Sequence, residues 1–249
     1  MSSFFERHSL RQNVRRVLGE AFDRVGLYAS RRRALPRGFD WLLDVERSFS
    51  PGKPRTVLDV GANVGQTTLS VRKRFPEAAI HAFEPVSSTF ATLRSSVGHL
   101  RGVHCHDVAL SDQEGSRTIS VLPGSVFNSL NDVSWAGEQR TVREEIKTTT
   151  VDRFCTQHAI DVVDILKSDT EGHDLNVLKG ALETLSKVGS RCVYVEVTFN
   201  RDNPNNSQFD DIYEFLQALG YRFMGLYEMD FFQINPWGRS FCNALFWKA

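Results

Sequence analysis

Asp59-x-Gly61-x-Asn63-x-Gly65 is a stretch whose residue types suit the holding of a ligand. Its glycines permit a turn that a Cβ would obstruct. The helix predicted from Gln66 has free N–H groups in its first turn, pointing out of the helix start. A dinucleotide cradle of the form G-x-G-x-x-G fails here, because Asn63 and Gln66 stand where two glycines belong. A P-loop fails too, since no Gly-Lys-Ser/Thr closes the turn. Asp59, just before the turn, would repel pyrophosphate and suits a cationic ligand. Glu84, at the end of the next predicted strand, can accept both hydroxyl protons of a ribose. The two acids together point to a positively charged ribosyl ligand without phosphate, a description that S-adenosylmethionine meets. A second set follows later in the chain. Lys167, Asp169, Glu171 and His173 occupy alternate positions at a strand end and its turn, and Glu196 stands near the end of the next strand. Carboxylates and an imidazole can take up a proton, and carboxylates can also hold a hard cation.

Buried-strand and helix signals alternate from Thr56 onward. Val57–Val60 reads as the first strand and 66–74 as a helix that Phe75-Pro76-Glu77 ends. Ala79–Phe83 is a second strand, 87–97 a helix with Phe90, Leu93 and Val97 on one face, and Val103–Leu110 a third strand. Thr118–Leu122 and Thr148–Val151 pair as strands. They leave 123–145 as the arm of a long hairpin, either a lid over a site or a surface excursion. Helix Asp152–Gln157, strand Val162–Lys167, helix Asp174–Leu185, strand Cys192–Val197 and helix Phe209–Leu219 come next. Tyr221–Leu226 and Cys242–Trp247 are the last strands. The alternation implies an α/β fold: a mostly parallel sheet with helices on both faces and one antiparallel strand near the edge. Ligands in such sheets bind beyond the carboxyl ends of the strands. Gly61, Glu84, Ala109, Asp169 and Glu196 all sit at or just past such ends.

The formal net charge of zero leaves no global field toward nucleic acid, so no nucleic-acid partner is expected. No apolar run approaches the ~20 residues that span a bilayer. The N-terminus lacks the apolar core of a secretory signal. Cys105, Cys155, Cys192 and Cys242 are widely spaced and fit reduced thiols. A cytoplasmic protein without a transmembrane segment is therefore expected. Residues 1–50 read as an N-terminal helical extension, set apart from domain 51–249 by the loop Ser50-Pro51-Gly52-Lys53-Pro54. Within it Leu10, Val14, Val17, Ala21, Val25 and Tyr28 recur at helical spacing beside an excess of arginine. That stripe either packs on the domain or serves a homodimer contact or peripheral attachment to an anionic membrane. His104-Cys105-His106 does not read as a zinc site, because a strand turns Cys105 away from the two histidines.

Val57-Leu58-Asp59-Val60-Gly61-Ala62-Asn63-Val64-Gly65 resembles the first motif of class I methyltransferases. His81–Pro85, Val108–Asp112, Thr149–Asp152, Leu166–Asp174 through Ala181, Val195–Asn200 and Asn243–Phe246 are similar, in order and spacing, to the FkbM-type S-adenosylmethionine-dependent methyltransferases. The resemblance covers about residues 55–248. It implies a Rossmann-like class I methyltransferase sheet and O-methylation of a hydroxyl on a sugar, glycan or small natural product. It also implies that Asp59, Gly61, Asn63, Gly65 and Glu84 bind the methyl donor, with Asp107, Ala109 and Leu110 at the adenine. In the strand order it implies, Asp169, Glu171 and Glu196 stand on neighbouring strands about 4.8 Å apart. They would then converge on Mg²⁺ or leave one carboxylate as a base alone. Asp169 and Glu171 are expected to be required for turnover, with His173 as an alternative proton acceptor; plain helix capping is the competing role for this acidic turn. The aromatic residues Tyr227, Phe231, Phe232 and Trp237 either wall an acceptor pocket or simply pack. Two other functions stay open on sequence grounds: a catalytically silent cofactor-binding or scaffold protein, and a nicotinamide-dependent sugar dehydrogenase.

Overall fold

A computed structural model describes residues 35–49, 52–121, 142–202, 206–229 and 241–248. The N-terminal stripe, the middle of the long hairpin and Phe231, Phe232 and Trp237 lie outside the described residues. The chain divides into two units, residues 1–39 and 40–249.

The second unit begins with helix α1 (Trp41–Phe49). It continues through β1 (Thr56–Val60), α2 (Gln66–Arg74), β2 (Ala79–Phe83), α3 (Ser87–Val97), β3 (Val103–His106) and β4 (Ala109–Leu110). Then come β5 (Gly115–Val121), β6 (Val142–Thr149), α4 (Val151–Gln157), β7 (Ile165–Ser168), α5 (Asp174–Lys179) and α6 (Leu182–Ser186). Strand β8 (Cys192–Val197), helix α7 (Phe209–Ala218), β9 (Arg222–Tyr227) and β10 (Cys242–Trp247) complete it. Seven strands form the main sheet in the order β3-β2-β1-β7-β8-β10-β9, and only β10 runs antiparallel to its neighbours. The expected antiparallel strand near the edge is thus β10, with β9 outside it. This is the sheet of a Rossmann-like class I methyltransferase.

Period-two alternation divides the core between the two faces of the sheet. Leu58 and Val60 of β1 join Phe83, Phe154, Val177, Leu178 and Ile212 on one face. Val57 joins Trp41, Val45, Val71, Leu93 and Val97 on the other. Helix α1 belongs to this second layer. Trp41 stacks on Tyr194 at 4.1 Å, and the Tyr227 hydroxyl donates to Asp44 at 2.9 Å. The division into units falls between Phe39 and Asp40.

Two elements differ from their sequence reading. The strand expected over Val103–Leu110 breaks at Asp107-Val108: β3 stays in the main sheet, while β4 pairs with β6 in a small sheet ordered β4-β6-β5. Ala109 there packs with Val86, Ile119, Val121 and Ile146 in a core of its own, which the break makes reachable. The helix expected over Asp174–Leu185 divides at Gly180-Ala181. A Cβ at Gly180 would lie 2.0 Å from the Ser111 carbonyl oxygen, so this bend brings two backbones into contact.

Three imidazoles, His81, His104 and His106, crowd the outer strands, and His158 at the end of α4 meets them. His81 stacks against His104 and His106, and its Nδ1 lies 3.1 Å from His106 Nε2. Burial, then the neighbouring imidazoles, hold His81 and His106 down to about 4. Both rings are neutral in the fold but charge more readily when unfolded. Their contribution to stability is therefore present above about pH 6.5 and lost as pH falls toward 4. The urea midpoint is expected to drop between pH 7 and pH 4.5, and to drop less in the His81→Gln/His106→Gln double variant. Equal drops would exclude these rings as the cause.

Candidate functional site

The glycine turn leaves β1 at its carboxyl end. Gly61, Asn63 and Gly65 all take positive φ, at 69°, 51° and 97°. Gly61 is also a point of contact, since a Cβ there would lie 1.9 Å from the Asp169 carbonyl oxygen. Gly65 stands at the start of α2, and no side chain caps that helix. Its leading amides therefore stay open to an incoming group.

Glu84 closes the turn from the next strand. One carboxylate oxygen accepts the Asn63 N–H at 3.2 Å and the other accepts the Val86 N–H at 3.0 Å. Two backbone donors thus fix the carboxylate while leaving it further lone pairs for hydroxyl donors. Burial raises it to about 6, against the opposing pull of those two amides and of Lys167. The cradle and this clamped acid fit the ribose of S-adenosylmethionine. Asp107, between β3 and β4, is exposed. Ala109 and Leu110 are buried, their side chains taken up in packing.

Asp59 is wholly enclosed, its side chain 0% exposed. The parallel register of β1 and β7 sets Asp59 beside Lys167, whose Nζ lies 3.2 Å from Oδ1. Thr68 of α2 donates to Oδ2 at 2.5 Å. Lys167 also donates to the carbonyl of Gly61 at 3.0 Å and stands 3.6 Å from Asp169. Burial alone would lower this ammonium, but Asp59 and Asp169 override it and raise it. A single buried lysine therefore ties the donor cradle to the acids at the end of β7. The sequence marks Lys167 only by its alternation with Asp169. Its partner is 108 residues away in the chain, so the pairing awaits the strand order.

The acids gather past the carboxyl ends of β7 and β8. Asp169 is half-exposed. Glu171 is half-buried and sits at φ 53°, followed by Gly172 at 96°. A non-glycine residue held in the left-handed region is a form of strain that concentrates at functional turns. Glu196 is buried and accepts from Asn206 at 2.7 Å. Burial first, then the charges of Asp169, Asp174 and Glu171, raise it well above the usual carboxylate range. Asp174 braces the turn, accepting from the Ser168 hydroxyl at 2.6 Å and from the Thr170 N–H and hydroxyl at 3.1 and 3.0 Å. Neither Asp174 nor Asn206 stood out in the sequence; Ser168-x-x-x-x-x-Asp174 is an ordinary helix-start pattern.

His173 belongs to the scaffold. Its Nε2 lies 2.9 Å from the Ser111 hydroxyl and its Nδ1 3.2 Å from the Asn176 amide. Burial and then Arg117 hold it down to about 4. Both ring nitrogens are engaged by these neighbours. The expected magnesium site also lacks its geometry. Among the described residues no three His, Cys, Asp or Glu side chains are arranged to hold one metal ion, so Asp169, Glu171 and Glu196 do not form such a group. No helix among the described residues is long and apolar enough to cross a membrane.

The family described as Methyltransferase FkbM domain matches residues 59–223. Among curated proteins, the chain is 26% identical over 154 residues to the 2-O-methyltransferase NoeI of Sinorhizobium fredii, covering 56% of this chain and 62% of that one. It is 28% identical over 151 residues to the 31-O-demethyl-FK506 methyltransferase FkbM of Streptomyces tacrolimicus, covering 50% of this chain and 58% of that one. The chain thus spans about three fifths of the length of these relatives. Among solved structures, Aeropyrum pernix fibrillarin with natively bound S-adenosyl-L-methionine aligns at a TM-score of 0.45 and 13% identity, over 82% of this chain and 73% of that one.

Proposed function

We propose that this chain, which belongs to the FkbM methyltransferase family, is an S-adenosylmethionine-dependent O-methyltransferase acting on a hydroxyl of a sugar, glycan or small natural product. The observation that carries the reading is the clamped Glu84 beside the glycine turn, at the carboxyl end of the sheet. When bound, the donor supplies a methyl group on a positively charged sulfur. Glu84 would accept the ribose hydroxyls, and the turn at Gly61–Gly65 would lie against the rest of the ligand. Lys167 holds that turn to Asp169, so donor and acceptor sides keep one geometry.

Asp169 and Glu171, reachable from solvent at the same end, would orient the acceptor hydroxyl. A carboxylate of the Asp169, Glu171 and Glu196 set would take its proton. Glu196 is buried among like charges, which with burial raise its proton affinity well above that of an ordinary carboxylate. The O-methyltransferase names of relatives support a hydroxyl acceptor.

Calorimetry should detect S-adenosylmethionine and S-adenosylhomocysteine but not NADH; binding of neither sulfur compound would sink the reading. Asp169→Asn and Glu171→Gln are each expected to lower turnover about 10²-fold at saturating donor. Near-normal turnover in either variant would remove that residue from the chemistry.

A further inference from the structure

The small sheet reaches the donor site. Glu144, on β6, accepts from both the N–H and the hydroxyl of Ser87, at 2.9 and 2.5 Å. Ser87 is the first residue of α3, and Val86 before it is buried in the core of the small sheet with Ala109, Ile119, Val121 and Ile146. Val86 is also the residue whose N–H fixes one oxygen of Glu84. The turn at Val86-Ser87 is therefore gripped twice from the small sheet, once by apolar packing and once by Glu144. It passes that hold to Glu84 through one hydrogen bond.

We infer that Glu144 is a positioning residue for the donor site: it anchors the Val86-Ser87 turn that fixes Glu84, and its charge stands as a like-charged neighbour of that acid. The inference rests on the reading that Glu84 holds the donor's ribose. Two charged side chains act on Glu84, Lys167 from β7 in its favour and Glu144 from β6 against it. Burial is the largest influence on the ionisation of Glu84 and the two backbone amides come next; Lys167 and Glu144 adjust it in opposite directions. Hydroxyl donors bond more strongly to the carboxylate than to the neutral acid, so donor affinity falls as pH drops through about 6. Strand β6 thus helps hold the turn that fixes Glu84 and adds a like charge to its surroundings.

Titration of S-adenosylhomocysteine into the full chain from pH 5 to pH 8 tests this. Glu144→Gln keeps an acceptor for Ser87 and removes the charge. It is expected to move the acid limb of binding down by about half a pH unit, giving about threefold tighter binding at pH 5 than in the parent. Glu145→Gln removes a charge at the next position of β6, which alternation turns to the opposite face, and is expected to leave the limb in place. Ser87→Ala removes the hydroxyl contact and is expected to weaken binding several-fold at pH 7.5 without moving the limb. A limb that stays put in Glu144→Gln overturns the inference, and so does unchanged affinity in Ser87→Ala. Failure of the underlying reading looks different: Glu84→Gln would then bind as tightly as the parent at every pH.

Discussion

Lys167→Met is expected to destabilise the fold by about 3–5 kcal/mol, the usual cost of leaving one partner of a buried ion pair alone. Asp59 is wholly enclosed, and Lys167 is the cation beside it. Methionine fills a similar volume but donates nothing. Asp59 would be left with the Thr68 hydroxyl, and the carbonyls of Val60 and Gly61 would lose their ammonium donor. The double variant Lys167→Met/Asp59→Asn should recover much of the loss, because a neutral amide tolerates burial better than a charge. Urea denaturation at pH 7.5 measures both. A loss under about 1 kcal/mol in the single variant, or no recovery in the double, would contradict the ion pair as drawn. Donor affinity should fall with stability, since the lysine holds the turn through Gly61.

That pair shows where the sequence stops being informative. The glycine turn was legible because its cause is local: positive φ at Gly61 and Gly65 is a property of residue type. Glu84 was legible because a buried strand ends just before it. Asp59 was read as suiting a cationic ligand because it stands just before the turn. The neutralising ammonium arrives only when β1 and β7 lie side by side in register. The contact of His173 with Ser111 was hidden for the same reason, its partner being on another element. The Val103–Leu110 run gave no sign of its break, because Ala109 and Leu110 are apolar enough for either sheet. Helix α1 was covered only by the reading of residues 1–50 as a helical extension, and which core its face joins depends on contacts with Tyr194 and Tyr227 far along the chain. Periodicity states that a face is buried and is silent about what covers it. The acids past β7 were recognised as a group. Their arrangement follows from the strand ends: Glu196 lies within β8, paired with Asn243 of β10, while Asp169 stands one residue past the end of β7.

Gly61→Ala is expected to be the most damaging single methyl that can be added to the donor cradle. The new Cβ would stand 1.9 Å from the Asp169 carbonyl oxygen and 2.9 Å from its carbon, both backbone atoms that no rotamer can move. The residue also sits at φ 69°, which alanine adopts at a cost of about 1–2 kcal/mol. Adding about 1–3 kcal/mol for forced displacement gives a destabilisation of about 2–5 kcal/mol. Relief requires β1 and β7 to part at their carboxyl ends, which is where the cradle meets the acids. Donor affinity should therefore fall even in the fraction that folds. Gly65→Ala is the informative comparison. Its φ of 97° is no easier for alanine, but the new Cβ meets Val97 Cγ1 at 2.9 Å and Leu93 Cδ1 at 3.2 Å, the ends of side chains that can yield. Thermal melts and calorimetry with S-adenosylhomocysteine should rank Gly61→Ala well below Gly65→Ala in both stability and affinity. The reverse ranking would mean that the cradle is held by the helix behind Gly65 and not by the seam between β1 and β7.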